Sequence, residues 1–233
     1  MAVDIAHILE GVDEKACAWS PQDAALYALA VGAARDPMNE RELAFVLEDR
    51  LIVLPTFVSI IAFGAGAKLL SGIDAVRMLD AGRRIVFHRP VAREGRGVAT
   101  TRVTHAVDKG LDKGAIFVRA SELHDTAGAI ATIVTDTFAR GDGGFGGILG
   151  PAMPPAIEPP RRSADLSVAY ATLPHQALLY RLCGDRNPLH ADPAFARKAG
   201  FAKPILHGMC TFGVAGWAVL QHFADYDPAA LRA

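Results

Sequence analysis

The chain has 233 residues, 51% hydrophobic and 21% charged, the balance of a soluble globular protein with room for one large domain or two small ones. Its 24 Lys and Arg against 25 Asp and Glu leave a formal net charge of −1, so no global field recruits nucleic acid or an acidic membrane. Cys17, Cys183 and Cys210 form no CxxC pair, which argues against a disulfide framework or zinc knuckle and fits a reducing compartment.

At the N-terminus, residues 1–7 lack the basic region and apolar core of a secretory signal. Leu51 to Ala67 is uncharged, yet it falls short of the ~18 to 20 residues a spanning helix needs. It also carries Pro55, Ser59, Gly64 and Gly66, so it reads as a buried core segment of a cytoplasmic protein. Beyond it, residues 84–88, 98–103, 115–123 and 129–138 are β-branched, alternate in places and read as strands. Turns are expected at Gly95-Arg-Gly97, Asp108-Lys-Gly110 and Asp125 to Gly128. One helix wrapped by an antiparallel sheet is the simplest arrangement. From Gly141 to Pro160, glycine and proline are dense enough to break helix and strand, which marks a loop or linker. No GK[ST] follows its glycines, so it is not a phosphate loop.

The part after the linker echoes the part before it. Leu26-Tyr27, Gly32, Asp36-Pro37 and Pro55 are matched by Leu179-Tyr180, Gly184, Asn187-Pro188 and Pro204, a pattern consistent with duplication. Pro204 suits the first turn of a helix, and residues 205–223 are apolar on nearly every face, with Gly208, Gly213 and Gly216 allowing close approach. Such a helix must be buried in something. The second part is too short to supply a sheet of its own, so the expectation is a truncated chain or cover from another chain. The closing Leu231-Arg232-Ala233 is not a peroxisomal address.

Chemistry concentrates at Asp185-Arg186-Asn187-Pro188-Leu189-His190. An imidazole near neutrality can remove a proton, and a carboxylate in the same loop can orient a water or return that proton. Asn187 adds an amide that can fix the geometry. Asp, Asn and Pro are also favoured in plain capping turns, so spacing alone leaves both readings open. At His207-Gly208, free backbone N–H groups of a helix start suit an oxyanion, while a glycine needed only for packing fits as well. A metal held by His175, His190, His207 or His222 is a competing reading without HxH or HExxH spacing to support it. His7, His88, His105 and His124 read as solvated or structural.

Together, Gly184 to Asp192, Ala199-Gly-Phe201 and Lys203 to Gly213 closely resemble type 2 enoyl-CoA hydratases, the MaoC-like proteins that include the hydratase unit of the peroxisomal multifunctional enzyme. Pro55-Thr-Phe57, Asp108-Lys-Gly110 and Gly143 to Gly147 extend the resemblance over most of the chain from about Tyr27. It implies an α+β tandem hot-dog fold: residues 1–145 a degenerate hot dog that accommodates the acyl chain, 146–162 a linker, and 163–233 the catalytic hot dog, lacking its last strands. It further implies syn addition of water to a trans-2-enoyl-CoA, giving the (3R)-3-hydroxyacyl-CoA. Asp185 and His190 would be the acid–base pair, Asn187 the supporting amide and the Gly208 N–H the oxyanion donor. Lys109, Arg186, Pro188, Leu189 and His207 would lie against substrate or CoA. No cofactor or metal is implied. The partner implied is an acyl-CoA thioester with medium, long or bulky chains, and the assembly a homodimer or a pair with a partner chain. A partner-completed, non-catalytic subunit and an enzyme for steroid or dicarboxylic acyl-CoA are the alternatives.

Overall fold

The computed structural model describes residues 4–152 and 158–231. The expected linker, 146–162, therefore lies partly outside the described residues, as do parts of both terminal segments discussed above.

Among the described residues, six strands form one antiparallel sheet: β1 (Val12–Trp19), β2 (Met78–Phe87), β3 (Gly95–Asp108), β4 (Ala115–Asp125), β5 (Gly128–Ala139) and β6 (Ile148–Leu149). Their order is β1-β3-β4-β5-β2, with β6 pairing on β3. The first half also holds helices α1 (Ile5–Glu10), α2 (Pro21–Ala30), α3 (Glu40–Leu43) and α4 (Val58–Ile61). Among the described residues the second half is strand-free after β6, with α5 (Gln176–Tyr180), α6 (Pro193–Lys198) and α7 (Gly208–Phe223). No helix among the described residues is long and apolar enough to cross a membrane.

The register aligns the inner face in cross-strand rows. Arg83, Thr135, Arg119 and Val103 form one row, and Ile85, Ile133, Ser121 and Thr101 form the next. The sheet's inner face therefore carries a polar band between two apolar ends, with Leu123 and Ala131 at one end and Phe117 and Ala139 at the other.

Four sequence expectations are corrected here. Gly95-Arg-Gly97 is not a turn but the start of β3, paired with Trp19, Ala18 and Cys17. These glycines provide space: a Cβ on Gly95 would lie 2.4 Å from the Trp19 ring, and one on Gly97 would lie 2.4 Å from the His124 carbonyl. The single wrapped helix is instead a broken segment, Pro55–Phe57, α4 and Ala67–Leu70. Gly64 and Gly66 interrupt it with φ of 78° and 73°, a left-handed backbone that glycine adopts without steric cost. The break is tied down from both sides, because Gly66 N–H donates to Asp13 (2.9 Å) and Arg119 donates to the Ala65 carbonyl (3.1 Å). Pro204 precedes its helix rather than opening it; α7 starts at Gly208, and the extended chain before it leaves the Ile205 carbonyl free to bind a side chain.

Finally, α7 buries one stripe rather than all faces. Met209, Cys210, Gly213, Trp217 and Leu220 recur at helical spacing and pack into the core of the first half. Trp217 meets Phe45 edge-on at 5.1 Å, and burying Trp217 and Leu220 is worth roughly 1.5–3 kcal/mol each. Gly213 permits this approach, since a Cβ there would sit 2.5 Å from Val31 and 2.6 Å from the Tyr27 hydroxyl. On the opposite face, Val219 and Phe223 are exposed, the latter at 68%.

Candidate active site

The loop after α5 turns at Gly184 (φ 130°) and runs through Asp185 into a 3-10 turn, Pro188–His190. Its polar groups close the turn themselves. Asp185 Oδ1 accepts from the Asn187 N–H (3.1 Å), and Asn187 Oδ1 accepts from the Leu189 N–H (3.0 Å). Asx groups favour such local bonds, which is the capping-turn reading. Yet Asp185 and His190 are both buried, at 8% and 9% exposure, and a plain surface turn does not bury a carboxylate and an imidazole together.

His190 Nδ1 lies 2.9 Å from the Ile205 carbonyl. A carbonyl can only accept, so Nδ1 carries the hydrogen and the neutral ring keeps its lone pair on Nε2. His207 sits behind, its ring stacked on His190 at 3.7 Å and its Nε2–H donating to the Asp185 carbonyl at 3.1 Å. Burial first, and then the neighbouring His190, push the His207 pKa down to about 4, with Asp185 opposing. His207 is therefore neutral at physiological pH. It is 1% exposed, which places it behind the loop as a support.

One ligand atom each from Asp185, His190 and His207 lies within 4.8 Å of the others. A single water making two hydrogen bonds of about 2.8 Å can bridge groups that lie within this limit. A metal would need lone pairs converging on one point. Here the two imidazoles are stacked at 3.7 Å with nearly parallel planes, so their in-plane lone pairs do not converge on one point, and the geometry suits proton transfer better.

Asp185 and Asn187 form one wall of a pocket of about 280 Å³. Its other walls are the broken segment Ser59–Ala67, the polar band of the sheet and Met209, the second residue of α7. Gly208, next to it, is the first helical residue, so its N–H has no intrahelical acceptor. A larger cavity of about 660 Å³ between Leu51, Phe87, Arg93 and Leu231 contains none of these groups.

The structure thus brings together Asp185, Asn187, His190, His207 and the start of α7. Leu189 is 2% exposed and packs with Ala196 and Ala199, so it anchors the loop. Arg186 and Pro188 are exposed on its outer side. Lys109 lies in the turn between β3 and β4, exposed and outside the pocket lining. That turn is organised by Asp108, which accepts from the N–H groups of Gly110, Gly144 and Gly146 and is held below its ordinary pKa by them. Sequence reasoning missed Asp80, Arg83, Arg119, Ser121 and Thr135 on the pocket's sheet wall. The available signal was a charge inside an otherwise apolar strand, as in Phe117-Val-Arg119-Ala-Ser121.

Two family models match the sequence: the MFE-2 hydratase 2 N-terminal domain over residues 18–141 and the MaoC like domain over residues 155–233. An enoyl-CoA hydratase of Mycobacterium tuberculosis is 42% identical over 91% of this chain and 76% of its own length. The peroxisomal multifunctional enzyme type 2 of Mus musculus is 36% identical over 89% of this chain, which spans 29% of that protein. Among solved structures, a MaoC-like dehydratase from Phytophthora capsici superposes with a TM-score of 0.83 at 27% identity, covering 97% of this chain and 80% of that one. The full-length peroxisomal multifunctional enzyme type 2 of Drosophila melanogaster gives a TM-score of 0.77 at 33% identity, covering 94% and 38% respectively. The fold is therefore of the α+β hot-dog type.

Proposed function

The chain belongs to the MaoC-like hydratase 2 family of hydro-lyases, and we propose that it adds water to a trans-2-enoyl-CoA through Asp185 and His190. The observation that carries the reading is the buried loop that brings ligand atoms of Asp185 and His190 within 4.8 Å of each other, with Asp185 lining the pocket and the Nε2 lone pair of His190 left free by the Nδ1 bond to Ile205. In this mechanism Asp185 orients the water and His190 Nε2 draws its proton as the oxygen bonds to C3. The proton held by the pair then returns to C2 from the same face, so the net change is addition of one water. Charge that develops on the thioester oxygen is met by the Gly208 N–H. Asn187 and His207 keep the loop in shape, and the exposed Lys109 and Arg186 are available to the phosphates of CoA. Residues 163–233 supply the acid–base loop, while residues 1–145 supply the space for the acyl chain. The test is hydration of trans-2-hexenoyl-CoA with chiral analysis of the product. Formation of the (3R)-3-hydroxyacyl-CoA is expected; no loss of enoyl absorbance, or a (3S) product, contradicts the reading.

The exposed apolar face of α7, with Val219 and Phe223, favours one addition: association with a second hot-dog chain, either a copy or a partner. Light scattering decides it, since a stable monomer is incompatible with it.

A further inference from the structure

The inner face of a sheet normally buries apolar side chains, and here two arginines occupy it. Arg83 on β2 and Arg119 on β4 lie in one cross-strand row with Thr135 between them. Two strand spacings separate their backbones, about 9–10 Å. Both line the same pocket as Asp185 and Asn187.

Their hydrogen bonding is incomplete. Arg119 donates to the Ala65 carbonyl (3.1 Å) and to Thr137 Oγ1 (3.2 Å), and Arg83 donates to Asp80 Oδ2 (2.9 Å). The Nε of each is buried with no acceptor among the described residues. The Arg83 side chain is only 9% exposed. Of the pocket's two carboxylates, Asp80 is engaged by Arg83, and Asp185 accepts from the Asn187 N–H. Arg119 has no ion-pair partner among the described residues. Burial and the charge of Arg83 both lower its pKa, and Asp80 raises it. A buried guanidinium held only by neutral acceptors, with the nearest carboxylate already engaged by Arg83, is a costly feature. An alkyl chain entering here would displace water from these donors and give nothing back. A carboxylate would satisfy both.

We infer that this wall selects acyl chains ending in a carboxylate, held between Arg83 and Arg119 while the enoyl thioester lies at Asp185. The inference rests on the hydration reading and names its substrate class: a short dicarboxylic enoyl-CoA. At about 30 Å³ per water-sized group, the 280 Å³ pocket holds roughly nine non-hydrogen atoms. The hexenedioyl group, six carbons and three oxygens, is of that size.

The experiment compares kcat/KM for trans-2-hexenedioyl-CoA and trans-2-hexenoyl-CoA in the wild type and in Arg83→Gln. In parallel, calorimetry measures wild-type affinity for the saturated adipoyl-CoA and hexanoyl-CoA. The wild type should favour the diacid by about tenfold or more, in turnover and in binding, with the turnover preference falling toward one in the variant. Equal kcat/KM for the two substrates in the wild type overturns the inference and leaves the hydratase reading intact. A loss by the same factor on both substrates in Arg83→Gln also overturns it, because the arginines would then serve the CoA phosphates common to both. If neither substrate is hydrated yet adipoyl-CoA binds about tenfold tighter, the hydration reading fails while the carboxylate pocket stands. If neither is hydrated and both analogues bind equally, both fall.

Discussion

Each half of this molecule builds the same short device, a buried tyrosine at a helix end, a left-handed glycine, an Arg-Asx-Pro loop and an apolar segment, and only one half makes it a candidate site. In the first half, Tyr27 donates to Thr56 Oγ1 at 3.0 Å, Gly32 has φ 93° and Arg35-Asp36-Pro37 follows. In the second, the Tyr180 ring lies 4.9 Å from His207, Gly184 has φ 130° and Arg186-Asn187-Pro188 follows. Aligned on these triplets, Asn39 stands opposite His190 and Ala34 opposite Asp185. Asn39 is spent on capping α3, and the exposed Asp36 on bonding the Met38 N–H. In the second half the caps are satisfied too, but an imidazole nitrogen remains, buried beside a carboxylate. The lesson is that a site differs from a turn by the polar capacity left once the backbone is satisfied. The central segments reverse the relation. The second half's helix is continuous over 16 residues, whereas the first half's breaks at Gly64 and Gly66 and leaves room for a pocket. Each half supplies what the other lacks.

The sharpest way to break this comparison is to mutate the aligned pair. His190→Gln should lower kcat by about 10²- to 10⁴-fold with the fold intact. Asn39→Ala should leave turnover nearly unchanged and cost about 1 kcal/mol of stability, as lost N-caps do. Steady-state assays and chemical denaturation on both variants check this, and comparable kinetic losses would erase the distinction between the halves. The tyrosines give a smaller contrast. Tyr27→Phe strands Thr56 and should cost about 1 kcal/mol in urea denaturation. Tyr180→Phe removes a hydroxyl that has no partner among the described residues, so it should be neutral or slightly stabilising.

A further expected effect concerns pH. Folding lowers the His207 pKa from 6.5 to about 4, so below about pH 6.5 the unfolded chain binds a proton that the folded chain refuses. His207 therefore favours unfolding progressively as pH falls from 6.5 to 4 and contributes no pH dependence above that window. The wild-type Tm should drop across it more steeply than that of His207→Gln, whose amide can still donate to the Asp185 carbonyl. Parallel Tm profiles would show that the histidine is not held neutral.

Much of the sheet was legible in the sequence, because β3, β4 and β5 carry β-branched residues at alternating positions. β1 was not, since its buried face includes Asp13, a carboxylate that reads as surface and is buried only because Gly66 and Lys68 reach it from elsewhere in the chain. Gly95 and Gly97 looked like a turn because local sequence cannot distinguish a glycine that bends the chain from one that makes room for Trp19 and the His124 carbonyl. The loop around Asp185 was visible as a constellation, and the family resemblance singled it out from ordinary turns. The support by His207 and the tautomer of His190 required the fold, because the Asp185 and Ile205 carbonyls are distant from them in sequence. Arg83 and Arg119 were invisible as a pair until strand register placed them in one row.

The most direct test of the account is the turnover of trans-2-hexenoyl-CoA by Asp185→Asn. The substitution keeps an oxygen to accept the Asn187 N–H, so the loop should stay closed and Tm should hold, while the carboxylate beside His190 is gone. The account predicts a fall in kcat of at least about 10²-fold. Turnover within a few-fold of wild type would mean that the chemistry does not reside in this loop.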